Sequence, residues 1–202
     1  MHYKESNLKL VLATSNKGKV REIKALCKDN EVVPYGELIE EFEIVEDGDT
    51  FKENALIKAR AVFKALDDDS VVVLADDSGI SVDTLDGKPG IYSARYAGVD
   101  ATDKDNLYKL AGDIKAKGLD SSPAHYTAAI AIVTKSAEYC VHGWMYGNAL
   151  NHTVGEGGFG YDPMFIPLGF EHTLGELDDE IKKKLSHRSK ALSLAKTILE
   201  TL

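Results

Sequence analysis

A mixed α/β fold is predicted for this 202-residue chain by three observations. Candidate strands and amphipathic helices alternate early, candidate strands cluster in the middle, and the C-terminal part is helical in two pieces. The last helices are expected to pack back on the sheet. No internal repeat, low-complexity tract or Pro/Gly/Ser linker divides the sequence. Its length suits one domain over 1–202, or at most two lobes sharing a core.

Residues 9–14 form the first candidate strand, followed at once by the polar Ser15-Asn16-Lys17-Gly18-Lys19. Val20, Ile23, Leu26 and Cys27 then fall on one face at helical spacing, and Val32 and Val33 mark a short second strand. Thr50 with Glu53 is a capping-box pattern: the hydroxyl accepts from an orphan amide and the carboxylate reaches back to the cap. Phe51, Ala55, Ala59, Val62, Phe63 and Leu66 supply the apolar stripe of that helix. The β-branched run at 71–75 predicts a strand buried on both faces. A second box, Thr102 with Asp105, opens a helix carrying Leu107, Leu110, Ala111 and Ile114. Two antiparallel strands are expected at 125–134 and 138–146, and a third near 149–154. Leu177, Ile181 and Leu185 belong to one C-terminal helical piece, and Leu192, Ala195 and Leu199 to the other.

Composition narrows the function classes. The 33 acidic and 24 basic side chains leave a formal charge of −9, which argues against general nucleic-acid binding, where affinity rests on cationic phosphate contacts. A small polyanion held at one locally basic site remains compatible with it. No stretch approaches the ~18 consecutive apolar residues of a membrane span. The polar opening His2, Tyr3, Lys4, Glu5 lacks a signal-peptide core. Cys27 and Cys140 are too few and too far apart for a disulfide framework or zinc site, so a reduced, cytoplasmic chain is expected.

Five segments could carry chemistry. A strand ending in Thr14-Ser15-Asn16 and passing through Gly18 into a helix offers backbone amides to an anion, with Lys17 and Lys19 adding charge. P-loop spacing is absent, and the same pattern serves ordinary capping. Asp76-Asp77-Ser78-Gly79 follows the buried strand, where ligands collect in open α/β sheets. Adjacent carboxylates there repel each other and resist desolvation unless a cation or catalytic role compensates, and hard oxygens suit Mg²⁺. A turn is the plain alternative. Glu46 precedes the Thr50 cap by too far to be explained by the helix dipole, and can give a second carboxylate. Lys58 by itself reads as solvated surface.

Glycines 155, 157, 158 and 160 permit close backbone approach to a ligand, and Phe159, Tyr161 and Asp162 interrupt or follow them. Aromatic faces stack on a flat base, while an Asp and exposed backbone groups read its edge. The dense basic cluster in 182–188 reads first as a solvated helix face. Ser186, His187 and Arg188, at a break between helices, are better placed to grip a ligand.

Together these segments resemble the inosine triphosphate pyrophosphatase family along residues 10–191. The likeness rests on Ala-Thr-Ser-Asn-Lys-Gly-Lys (13–19), Glu-Asp-Gly-Asp-Thr-Phe-Lys-Glu-Asn-Ala (46–55), Ala-Asp-Asp-Ser-Gly (75–79), Gly-Gly-Phe-Gly-Tyr-Asp-Pro (157–163) and Ser-His-Arg-Ser-Lys-Ala (186–191). A sixth segment at 85–98 contains Pro-Gly-Ile-Tyr-Ser-Ala-Arg-Tyr-Ala-Gly. The related Maf-type enzymes open with a Ser-x-Ser-Pro-Arg-Arg signature that is missing here.

The resemblance implies a mixed twisted sheet with flanking helices, in two lobes around a central cleft. It implies Mg²⁺-dependent hydrolysis, with Mn²⁺ as an alternative, of ITP, dITP and XTP to the monophosphate and pyrophosphate, cleansing the nucleotide pool. Under it Asp77 is general base and, with Glu46, metal ligand; Asp76 and Lys58 support the site. Thr14, Ser15, Asn16, Lys17, Gly18 and Lys19 hold phosphate, and Ser78 touches substrate. Phe159, Gly160, Tyr161 and Asp162 take the nucleoside, while Lys182, His187 and Arg188 close over base and phosphates. Lys17, Lys19, Lys58, Lys182 and Arg188 are expected to converge on one polyphosphate. A homodimer is also implied. The competing expectations are a non-catalytic nucleotide sensor, which leaves the acid pair unexplained, and a phosphohydrolase of different base preference.

Overall fold

The computed structural model describes residues 8–28 and 30–202, apart from the Leu26 side chain; the polar opening at His2–Glu5 lies outside them. Apolar runs form the sheet. Strand β1 (Lys9–Leu12) pairs in parallel with β2 (Glu31–Pro34) and with β3 (Val72–Val82). Strands β4 (Ser121–Val133) and β5 (Glu138–Leu150) follow, and β6 (Phe165–Pro167) is antiparallel to β5. The order β2-β1-β3-β4-β5-β6 makes one mixed six-stranded sheet, as expected.

Helix α1 (Lys17–Leu26) begins at Asn16, and α2 (Phe51–Leu66) at Thr50. Thr50 Oγ1 accepts from the Glu53 amide at 3.1 Å, as the capping box requires. The Glu53 carboxylate, however, accepts from Asp49 N–H at 2.8 Å, one residue before the cap. At α3 (Asp103–Ala116) both halves of the box form. Helices α4 (Asp179–Leu185) and α5 (His187–Leu199) are the two C-terminal pieces. Leu192, Ala195 and Leu199 are buried as predicted, whereas Ile181 is exposed and Leu177 precedes α4.

Two strand expectations are corrected. Residues 149–154 form no strand of their own: β5 runs to Leu150 and irregular chain follows. The remaining strand is the three-residue β6, too short for a periodic signal. More consequential is β3, which continues through Asp76, Asp77, Ser78 and Gly79 rather than ending before them. Its register with β1 stops at Leu12 opposite Leu74, with Ala13 N–H donating to Leu74 O. The acid pair thus lies on a strand that outlasts its parallel neighbour.

The chain divides into two compact units. Unit 1 holds the described residues up to Asp77, with Ala129–His142 and Ala191–Leu202. Its core joins Val11, Val73 and Ala75 of the sheet to Ala55, Ala59 and Val62 of α2. Unit 2 holds Ser78–Ala128 and Gly143–Lys190, and its core packs Ile80 and Val82 with Leu110 and Ile114 of α3 and with Phe165.

Candidate active site

In unit 1, strand β3, the first turn of α1 and the middle of α2 place the charged side chains. Asp76 is buried, and its carboxylate is 2.5 Å from Lys19 Nζ, which reaches back from the first turn of α1. Lys58, on α2, sits between two acids: its ammonium is 2.8 Å from Glu46 Oε2 and 3.0 Å from Asp77 Oδ1. With 12% of its side chain exposed, Lys58 is no solvated surface residue, which corrects the reading of that residue by itself. Helix period carries it toward the same side as the buried Ala55 and Val62 edge, so a charged head there needs partners.

Burial raises the Asp77 carboxyl above the ordinary carboxylate range; Lys58 opposes the rise and Glu46 reinforces it. For Lys58, burial works against the ammonium, but Asp77 and Glu46 outweigh it and the pKa rises. The second Asp77 oxygen, Oδ2, is buried and has no hydrogen-bond partner among the described residues. Buried carboxylate oxygens are ordinarily satisfied, so this one marks a place for a water or cation. No group of three or more metal-ligating side chains occurs among the described residues. Mg²⁺ does not need one: one or two carboxylates plus substrate oxygens and waters complete its shell. Glu46 and Asp77 fit that donor set.

The segment bearing Glu46 has no regular structure and is tied to α2 by a residue whose role the sequence did not reveal. Asn54, 1% exposed, accepts from Gly48 N–H at 2.9 Å. A side chain at Gly48 would meet Asn54 Oδ1 at 2.8 Å and Glu53 Cβ at 2.6 Å, so the close approach needs glycine. An amide next to Ala55 in an otherwise apolar stripe was the available signal.

At the start of α1, Thr14, Ser15, Asn16, Lys17, Gly18 and Lys19 form the strand-to-helix junction. Asn16 Oδ1 accepts from Gly18 N–H at 2.9 Å and Lys19 N–H at 3.1 Å. Two amides expected to be open to an anion are therefore already capped, and a phosphate would compete with the Asn16 carboxamide for them.

Unit 2 gathers the remaining predicted residues. Phe159 is 64% exposed at the tip of the glycine segment. Asp162 folds back so that Oδ2 accepts from Phe159 N–H at 3.1 Å. Gly158 makes this possible: its φ is +82°, and a Cβ there would lie 2.2 Å from Asp162 Oδ2. Tyr161 is buried and donates to Ser93 O at 2.7 Å, so only Phe159 offers an exposed ring, and Gly160 lies between them at positive φ. Burial pushes the Asp162 carboxyl up to about 6 against the opposing Phe159 N–H and the charges of Lys182 and Arg188. Arg188 donates to Ser78 Oγ at 3.1 Å, and Lys182 pairs with Asp179 at 2.8 Å. His187, the first residue of α5, stacks on Tyr126 of β4, a residue outside every motif noted above.

The fold is that of an α/β protein with one mixed six-stranded sheet; one unit carries buried carboxylates paired with lysines, and the other carries a glycine–aromatic–Asp segment whose Asp162 feels the charge of Arg188. The model of the Ham1 family matches residues 10–198. The chain is 70% identical over 199 residues to a dITP/XTP pyrophosphatase of Sulfurimonas denitrificans, covering 96% of this chain and 100% of that one. It is 60% identical to a dITP/XTP pyrophosphatase of Sulfurovum, covering 96% and 95% respectively. Among solved structures, the Ham1 protein of Staphylococcus aureus superposes with a TM-score of 0.87 at 36% identity, covering 96% of this chain and 98% of that chain. The chain belongs to the Ham1 family, as its resemblance to inosine triphosphate pyrophosphatases implied. It is a hydrolase of the pyrophosphatase class.

Proposed function

We propose that this enzyme hydrolyses non-standard purine nucleoside triphosphates (ITP, dITP and XTP) between the α- and β-phosphates, releasing the monophosphate and pyrophosphate. The observation that carries the proposal is Asp77: one carboxylate oxygen is held by Lys58 and the other is buried without a hydrogen-bond partner among the described residues. A carboxylate fixed at one oxygen and raised in basicity by burial is suited to orient a water and take its proton. Lys58 holds the orientation, and Asp76 holds Lys19 for the phosphates. Glu46 and Asp77 are the residues that would hold Mg²⁺ or Mn²⁺, which when bound neutralises phosphate charge and polarises phosphorus.

Residues 14–19 are assigned to the phosphates, and Ser78, Phe159, Gly160, Tyr161, Asp162, Lys182, His187 and Arg188 to the nucleoside and adjacent phosphate. Hypoxanthine and xanthine present O6 where adenine presents an amino donor, so donors such as Arg188 and backbone amides favour them over ATP. A site without an acceptor for the 2-amino group would disfavour GTP by about 1–3 kcal/mol. The same reading makes the protein a cytoplasmic homodimer that removes such nucleotides before they enter DNA or RNA. Its net charge of −9 fits a partner that is a small nucleotide rather than a nucleic acid.

Pyrophosphate release across ITP, XTP, dITP, GTP and ATP, with and without EDTA, tests the proposal. One pyrophosphate per nucleotide from ITP, dITP and XTP, abolished by EDTA, is expected. Orthophosphate as sole product, or ITP binding without turnover, would overturn it.

A further inference from the structure

Tyr126 is buried in β4, and its ring meets the His187 imidazole face to face, with centroids 4.8 Å apart and planes within 15°. The same ring packs edge-to-face on Phe165, at 4.8 Å and 68°, and Phe165 is fully buried in β6. The Tyr126 hydroxyl is also buried and makes no hydrogen bond among the described residues. Aromatic packing, rather than a polar tether, therefore sets the ring's orientation.

We propose that Tyr126 is a positioning residue for the nucleobase end of the site: anchored by Phe165, it fixes the plane in which the His187 imidazole meets the purine. This rests on the function proposed above. His187 is buried and opens α5 directly after the Ser186 break. The stack orders one face of the buried imidazole before substrate arrives. Pre-ordering a contact residue lowers the entropic cost of binding, so its loss belongs in KM rather than in the chemical step.

The test is a double-mutant cycle. KM and kcat for ITP and XTP are measured with wild type, Tyr126→Leu, Tyr126→Phe, His187→Gln and the double variant, with thermal melting of each. Tyr126→Leu should raise KM roughly tenfold with a much smaller change in kcat. Tyr126→Phe should rescue that loss. In the His187→Gln background, Tyr126→Leu should add no further rise, because it acts through that imidazole. Should the leucine variant fail to fold, Tyr126→Met takes its place. Separately, the Tyr126 ring current should move the His187 Cε1–H NMR signal upfield, and the shift should vanish in Tyr126→Leu or Tyr126→Met. Full additivity with His187→Gln, an unchanged KM in a folded variant, or an unshifted His187 signal overturns the inference. Absence of pyrophosphate release by the wild type would instead sink the proposed function and leave the NMR arm to decide the stack.

Discussion

Lys58 Nζ lies 3.0 Å from Asp77 Oδ1, and it is the bond that orients a carboxylate whose other oxygen has no hydrogen-bond partner among the described residues. Both side chains are largely buried, with 12% and 14% exposed. Lys58→Met should therefore remove the main charge that compensates Asp77 opposite Glu46, leaving only the smaller influence of Lys19. Breaking a buried pair from one side costs about 3 kcal/mol. Chemical denaturation should show that loss, and the turnover of ITP should fall with it. A variant as stable as the wild type would mean the ammonium contributes nothing net.

Asp77→Asn keeps the volume and the contact with Lys58 but cannot take a proton. Pyrophosphate release should drop by roughly 10²–10⁴-fold, the range of a positioned acid–base group. ITP binding measured by calorimetry without metal should persist, separating chemistry from affinity.

Asn54→Ala should loosen the segment that carries Glu46 without touching Glu46 itself. It leaves the Gly48 N–H without its 2.9 Å acceptor, at a cost of about 1–3 kcal/mol if water does not replace it. The Mg²⁺ concentration for half-maximal activity should rise, with a smaller change in kcat at saturating metal. Titration of activity against Mg²⁺ reads this directly.

Asp162 supplies a pH test. Its folded pKa of about 6 lies above the ordinary carboxylate value of about 4, so the native chain keeps a proton that the unfolded chain releases. The contribution of Asp162 to stability should then fall as pH rises from about 4 to about 6, by about 3 kcal/mol, with the full penalty present above that window. Asp162→Asn should abolish this fall while still accepting from Phe159 N–H. Urea denaturation of both proteins at several pH values measures the difference; parallel curves would contradict it.

Local pattern carried much of the outline. The caps at Thr50 and Thr102 and the helical stripe ending at Leu66 all act within a few residues, so spacing alone reveals them. The carboxylate of Glu53 shows the limit: whether it bonds Thr50 or Asp49 depends on the path of the incoming chain. Phe159 and Asp162 were marked by the same kind of local pattern, and the structure adds that Asp162 folds back to accept from Phe159 N–H.

The sequence by itself determined most of the strands and helices and the family, and it nominated residues for the site. Only the tertiary structure decided their partners. Lys58 looked solvated until α2 brought it between Glu46 and Asp77, two residues 12 and 19 positions away. Tyr126 looked like one more strand residue until packing laid it against His187, 61 positions later in the numbering of the sequence. Whether a strand ends before Asp76 or runs to Val82 likewise depends on neighbouring strands. The physical reason is common to all three: periodicity encodes which face is apolar, while the pairing of a buried charge or ring is settled by what another element places opposite it.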